Sequence, residues 1–165
     1  MRRLGMCLVG LAFVVGCGTD PREGLVTSTV QLMNDTASKV NSVTDKIEEA
    51  KKKKEKDKVW DFKDAIQSAE DLDKTGKELQ KNYQRVRTLR EPTTAEEKDV
   101  LKKQFQGQIT DAARKLDEAN LKLAASFKEL EGEFKKDANN AEWLKFRQKL
   151  NDAHSQFQVL AVQSK

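Results

Sequence analysis

Two cysteines, a single histidine, a methionine at position 33 and a run of lysines are the side chains whose chemistry could distinguish this chain. His154 stands alone, so neither a multi-histidine metal site nor the paired Glu-x-x-His motifs of a di-iron bundle can be assembled. Ser155 adjoins it, but successive helical residues point ~100° apart, and a nucleophile–base bond between them is out of reach. Two cysteines are too few for a zinc ribbon or a disulfide scaffold. No glycine-rich phosphate loop is present, and the acidic pairs Glu48-Glu49 and Glu96-Glu97 read as helix-surface residues. The chain is therefore expected not to be an enzyme, with no catalytic residue and no metal.

The two cysteines sit in the first seventeen residues. Arg2 and Arg3 precede an uncharged apolar stretch, Leu4 to Val15, that ends at Gly16 and Cys17. Charge followed by a short apolar run is the grammar of a cleaved signal peptide. Twelve helical residues rise only ~18 Å against a hydrocarbon core of ~30 Å, so the stretch is too short to span. Val14-Val15-Gly16-Cys17 resembles the lipobox of bacterial lipoproteins, which ends in an obligatory cysteine. The resemblance implies cleavage between Gly16 and Cys17, a diacylglyceryl group on the Cys17 thiol and frequent acylation, such as with palmitate, of the new amine. A thiolate can form the stable thioether that such an anchor needs, whereas serine cannot. Two or three acyl chains give a durable membrane anchor where one is marginal. Cys7 leaves with residues 1–16. Residue 18 is Gly, and the lack of Asp there mildly favours the outer over the inner membrane, if the enterobacterial sorting rule applies.

Two further features could carry function. Lys51, Lys52, Lys53, Lys54, Lys56 and Lys58 form a basic run broken only by Glu55 and Asp57. It reads either as a solvated connection or as a patch for an anionic partner. At an extracytoplasmic address that partner is peptidoglycan, anionic lipid or an envelope protein, and not nucleic acid. Met33 and His154 are candidate haem ligands, because b-type cytochrome bundles use a Met from the first helix and a His from the last. Against this, His154 falls one position beyond the apolar seam at Ala153, as a flanking surface residue would. No CxxCH motif supports covalent haem, and no cofactor is expected beyond the lipid on Cys17.

These residues must be positioned by helices, since β-branched residues never alternate over a useful run. The expectation is an all-α, up-down antiparallel bundle of three to four long amphipathic helices over 21–163. A short tether, 17–20, precedes helices over about 21–50, 59–90, 95–136 and 140–163, with 51–58 as a lysine-rich connection. Asp20-Pro21 reads as a helix start, Thr94-Ala95-Glu96-Glu97 as a capping box, and Asn139 or Asn140 as the cap of the last helix. The first helix carries Val26, Val30, Met33, Ala37, Val40, Thr44 and Ile47, a coiled-coil-like seam of small and polar members. The second carries Phe62, Ile66, Ala69, Leu72, Gly76, Leu79, Tyr83 and Val86. The third carries Leu101, Phe105, Ile109, Ala112, Leu116, Ala119, Leu123, Phe127, Leu130 and Phe134. The fourth carries Trp143, Phe146, Leu150, Ala153, Phe157 and Leu160. After Phe13, every aromatic lies at or beyond Trp60, so the last three helices are expected to own the core. The first helix would then be a thin fourth member or a stalk. Acid–base pairs four apart, such as Glu48/Lys52, Glu70/Lys74 and Glu131/Lys135, are expected to dress the outer faces.

Composition sharpens the picture. The 165 residues carry 31 Lys+Arg against 27 Asp+Glu, a net charge of +4. Loss of Arg2 and Arg3 leaves +2, and the lysine run alone holds +4, so the remaining surface is slightly acidic. The functional expectation is a lipid-anchored, extracytoplasmic helical lipoprotein acting as a non-enzymatic spacer or binding module of the bacterial envelope. The alternative is a tethered carrier of lipid or haem.

Overall fold

The computed structural model describes residues 21–88, 95–135, 137 and 139–163, with side chains over 23–85, 106–135, 137 and 139–155. Within them lie four helices: α1 (Pro21–Asp57), α2 (Lys63–Thr88), α3 (Ala95–Glu133) and α4 (Ala141–Gln163). No helix among the described residues is long and apolar enough to cross a membrane. The leader, the lipobox with Gly16 and Cys17, and Thr94 of the capping box fall outside the described residues, as do the side chains of Leu101, Phe105, Phe157 and Leu160.

Local chemistry accounts for the helix ends. Pro21 occupies the first position of α1, where its missing N–H costs nothing. The lysine run is not a connection, because α1 continues through it to Asp57. Lysine is a good helix former, and acids from other segments reach this end to relieve its like-charge repulsion. The helix stops at Lys58, whose φ of 60° places it in the left-handed region. Its N–H donates to the Lys54 carbonyl at 2.9 Å, the bond expected of a left-handed C-terminal cap. The Asp61 carboxylate accepts from the Lys63 N–H at 3.1 Å, so α2 begins four residues later than expected. At the start of α4, the Asn140 side-chain oxygen accepts from the Trp143 N–H at 3.1 Å, which settles the cap between the two asparagines.

Helix directions alternate, but the neighbours are not the ones that short connections suggest. Among the described residues α1 packs on both α2 and α3, and α2 packs on α4. The α1/α2 pair is antiparallel, with Ser42 beside Ser68 and Asn82 donating to Ser28. The α1/α3 pair is parallel, matching 48 with 126, 51 with 129 and 54 with 133. The α2/α4 pair is parallel too, matching Phe62 with Phe146 and Glu70 with Lys149. Two helical hairpins thus lie side by side. Among the described residues, no Cα of α2 lies within 8 Å of one of α3, and α3 meets α4 through side chains.

Side-chain size explains this arrangement. Thr29, Thr36, Val43 and Ala50 recur every seven residues on α1, alongside Ala37, Val40 and Ile47, and all are buried. Small residues let α1 approach two helices closely, so it is a central member of the core rather than a thin one or a stalk. Large rings keep α3 and α4 apart: Phe127 and Trp143 span that gap with centroids 5.5 Å apart. Phe62 fills the space between, touching Trp60, Phe134, Trp143 and Phe146 at 5.2–6.1 Å. Ile109, expected in the seam, is 41% exposed. The α3/α4 register, with Glu131 near Arg147, carries it past the end of α4.

Candidate functional site

The end of the bundle where α1 turns into α2 collects the lysine run, an aromatic cluster and the ion pairs between α1 and α3. Lys51 is the most enclosed of the lysines. Its ammonium donates to Glu48 at 2.9 Å and to Glu129 of α3 at 2.6 Å, and Glu48 also accepts from the Ser126 hydroxyl at 3.1 Å. Burial alone would lower the Lys51 pKa, but the hydrogen bonds to Glu129 and Glu48 outweigh it and hold the group above the ordinary lysine value. The Lys51 hydrogen bond, aided by Ser126, draws Glu48 below the usual carboxylate range.

Lys53 bridges to Asp61 at 3.1 Å, which raises the lysine and lowers the aspartate. Lys54 pairs with Glu133 at 3.3 Å and lies 5.4 Å from the Trp60 ring centroid, a cation–π distance. The Lys58 ammonium donates to the Glu55 carbonyl at 3.0 Å. Lys52 and Lys56, four residues apart, are exposed and make no such contact among the described residues. The six lysines are therefore not one patch. Three secure the bundle end, one caps its own helix, and Lys52 and Lys56 face solvent.

Beside them the turn presents Val59, which is 65% exposed, and the half-buried ring of Trp60 stacked on Phe62 with centroids 5.2 Å apart. Acids that reach the lysines from Asp61, Glu129 and Glu133 went unseen in the sequence. The last two lie 78 and 79 positions from their partners, and only the parallel α1/α3 packing brings them in. Several expected intrahelical pairs are replaced in the same way: Glu70 meets Lys149 at 3.0 Å and Glu131 meets Arg147 at 3.7 Å.

The remaining candidates are dispersed. Met33 packs against the core from α1, His154 is exposed on α4, and among the described residues those two helices do not pack on each other. A groove of about 410 Å³ runs between α1 and α3, within the size range of ligand sites. It is lined by Asn34, Ser38, Asn41, Lys115, Glu118 and Lys122, with only Ala37 and Ala119 as apolar wall. Among the described residues no three His, Cys, Asp or Glu side chains form a metal-binding group. No protein-family model, curated protein or solved structure matches this chain, so its function must be read from its own residues.

Proposed function

We propose that this chain is an extracytoplasmic lipoprotein of the bacterial envelope, anchored through Cys17, whose bundle acts as a non-enzymatic spacer presenting its far end to a partner. The sequence Val14-Val15-Gly16-Cys17 after a charged and apolar leader carries the reading. The long α1 supports it. That helix begins four positions after Cys17 and runs unbroken for 37 residues, ~55 Å at the rise of an α-helix. Standing upright, it holds the turn at Lys58–Asp61 that far from the anchoring bilayer.

At that turn Lys52 and Lys56 offer unpaired cations and Val59 and Trp60 offer apolar surface, a combination suited to a partner with acidic and apolar groups. An envelope protein fits it better than peptidoglycan or anionic lipid, because Lys51, Lys53 and Lys54 already have acidic partners. Two measurements test the proposal. Radiolabelled palmitate should enter the wild-type chain in cells and be lost in Cys17→Ser; an unlabelled wild type removes the anchor. A photo-crosslinker placed at Lys56, whose side chain is unengaged, should capture a protein in intact cells. Capture of wall fragments or lipid alone overturns the choice of partner.

A further inference from the structure

The buried seam of α3 is not its only regular stripe. Asp117, Leu121, Ala124 and Lys128 follow one another at intervals of four, three and four, which places them on one side of the helix. All four are exposed, and Leu121 is 72% exposed, the largest value among the exposed large apolar residues described. Other sides of α3 are occupied. Glu129 and Glu133 face α1, and Phe127 and Glu131 face α4. The stripe therefore looks outward from the bundle.

Its charges are arranged to complement themselves. Arg114 is engaged by Asp111 and Glu118, Glu129 by Lys51, and Glu131 by Arg147. Asp117 and Lys128 make no ion pair among the described residues and stand at opposite ends of the Leu121–Ala124 step.

We propose that this face joins two copies of the chain, α3 against α3 and antiparallel, about a two-fold axis between positions 122 and 123. Asp117 of each copy meets Lys128 of the other, and Leu121 meets Ala124, a large side chain against a small one. A parallel pair would set Asp117 against Asp117 and Lys128 against Lys128, so charge selects the antiparallel form. A slip by one heptad in one direction puts Leu121 opposite Asp117, and in the other puts Ala124 opposite Lys128, so the register is selected as well. The contact is isologous and closes on itself as a dimer. With one Leu and two flanking Ala residues, 124 and 125, it belongs to the small, weak class of interfaces.

Carbodiimide crosslinking of the full chain in mild detergent tests this directly. An amide bond between the Asp117 carboxyl and the Lys128 amine should appear in the dimer band by mass spectrometry. Within one chain those residues are eleven positions apart on a continuous helix, ~16 Å along its axis, too far for a zero-length bond. By sedimentation equilibrium, Asp117→Lys and Lys128→Asp should each weaken association by about tenfold or more, and the double exchange should restore it. Unchanged helical circular dichroism shows that each variant is folded. A chain that stays monomeric to ~1 mM, a dimer without the 117–128 link, or a dimer indifferent to both exchanges overturns the proposal.

Discussion

At the scale of single residues, Thr36 and Lys58 each violate a local rule, and each makes a prediction. Thr36 is fully buried and its hydroxyl has no partner, although Thr29 and Thr44 on the same helix donate to the carbonyls of Leu25 and Val40. A buried hydroxyl without a partner loses its hydration and regains nothing. Thr36→Val keeps the shape and should raise the unfolding free energy by ~1 kcal/mol in urea titrations. A loss of stability would mean that the hydroxyl is satisfied after all. Lys58 holds a left-handed backbone that favours glycine. Lys58→Gly should stabilise by ~0.5–1 kcal/mol, seen as a higher thermal midpoint. The sequence placed the lysine run but could not mark Lys58 as the stop, because no glycine or asparagine signals it.

At the scale of helices, the α1/α3 clasp and the other ion pairs of the bundle make stability depend on pH from both sides. Glu48, Glu49 and Asp61 are held below their ordinary pKa values, chiefly by hydrogen bonds from Lys51, Lys46 and Lys53 respectively. Groups with lowered pKa stabilise the fold above the ordinary carboxylate range, and that contribution disappears as pH falls through their folded values. Lys46, Lys53 and Lys149, raised first by the hydrogen bonds they donate to Glu49, Asp61 and Glu70, behave in the opposite sense. Their contribution is full below the ordinary lysine range and is lost at higher pH. Thermal melts should therefore be highest near neutrality, falling below about pH 4.5 and above about pH 10. Glu48→Gln should flatten part of the acid limb, and an identical acid limb in that variant would remove Glu48 from the account. The helices, most of the α2 and α4 seam positions and the asparagine pair before α4 were legible in the sequence because 3.6-residue periodicity and capping are local. The clasp was not, since Lys51 and Glu129 look like ordinary surface charges until α1 and α3 lie parallel.

At the scale of the molecule, Phe62 holds the two hairpins together. Its ring comes from the link before α2 and packs fully buried against rings on both sides of the α3–α4 turn. Phe62→Ala should cost ~3–5 kcal/mol and lower the urea midpoint of the whole chain, as for other buried aromatic truncations. A small local loss with an unchanged midpoint would show that the hairpins are stable without it. By itself the sequence determined that the chain is helical, most of the seam positions on α2 and α4, and which cysteine carries the lipobox resemblance, because each follows from short-range spacing; the buried Thr29, Thr36, Val43 and Ala50 of α1 and the exposure of Ile109 did not follow from it. Only the tertiary structure decided that α1 lies at the centre, that α3 and α4 stand apart, that half of the lysine run is spent on ion pairs within the chain, and that the Asp117–Lys128 face of α3 is left uncovered. The reason is physical. Which helices become neighbours depends on how closely their side chains let them approach, and small residues on α1 outcompeted the short connections that favoured α2 beside α3.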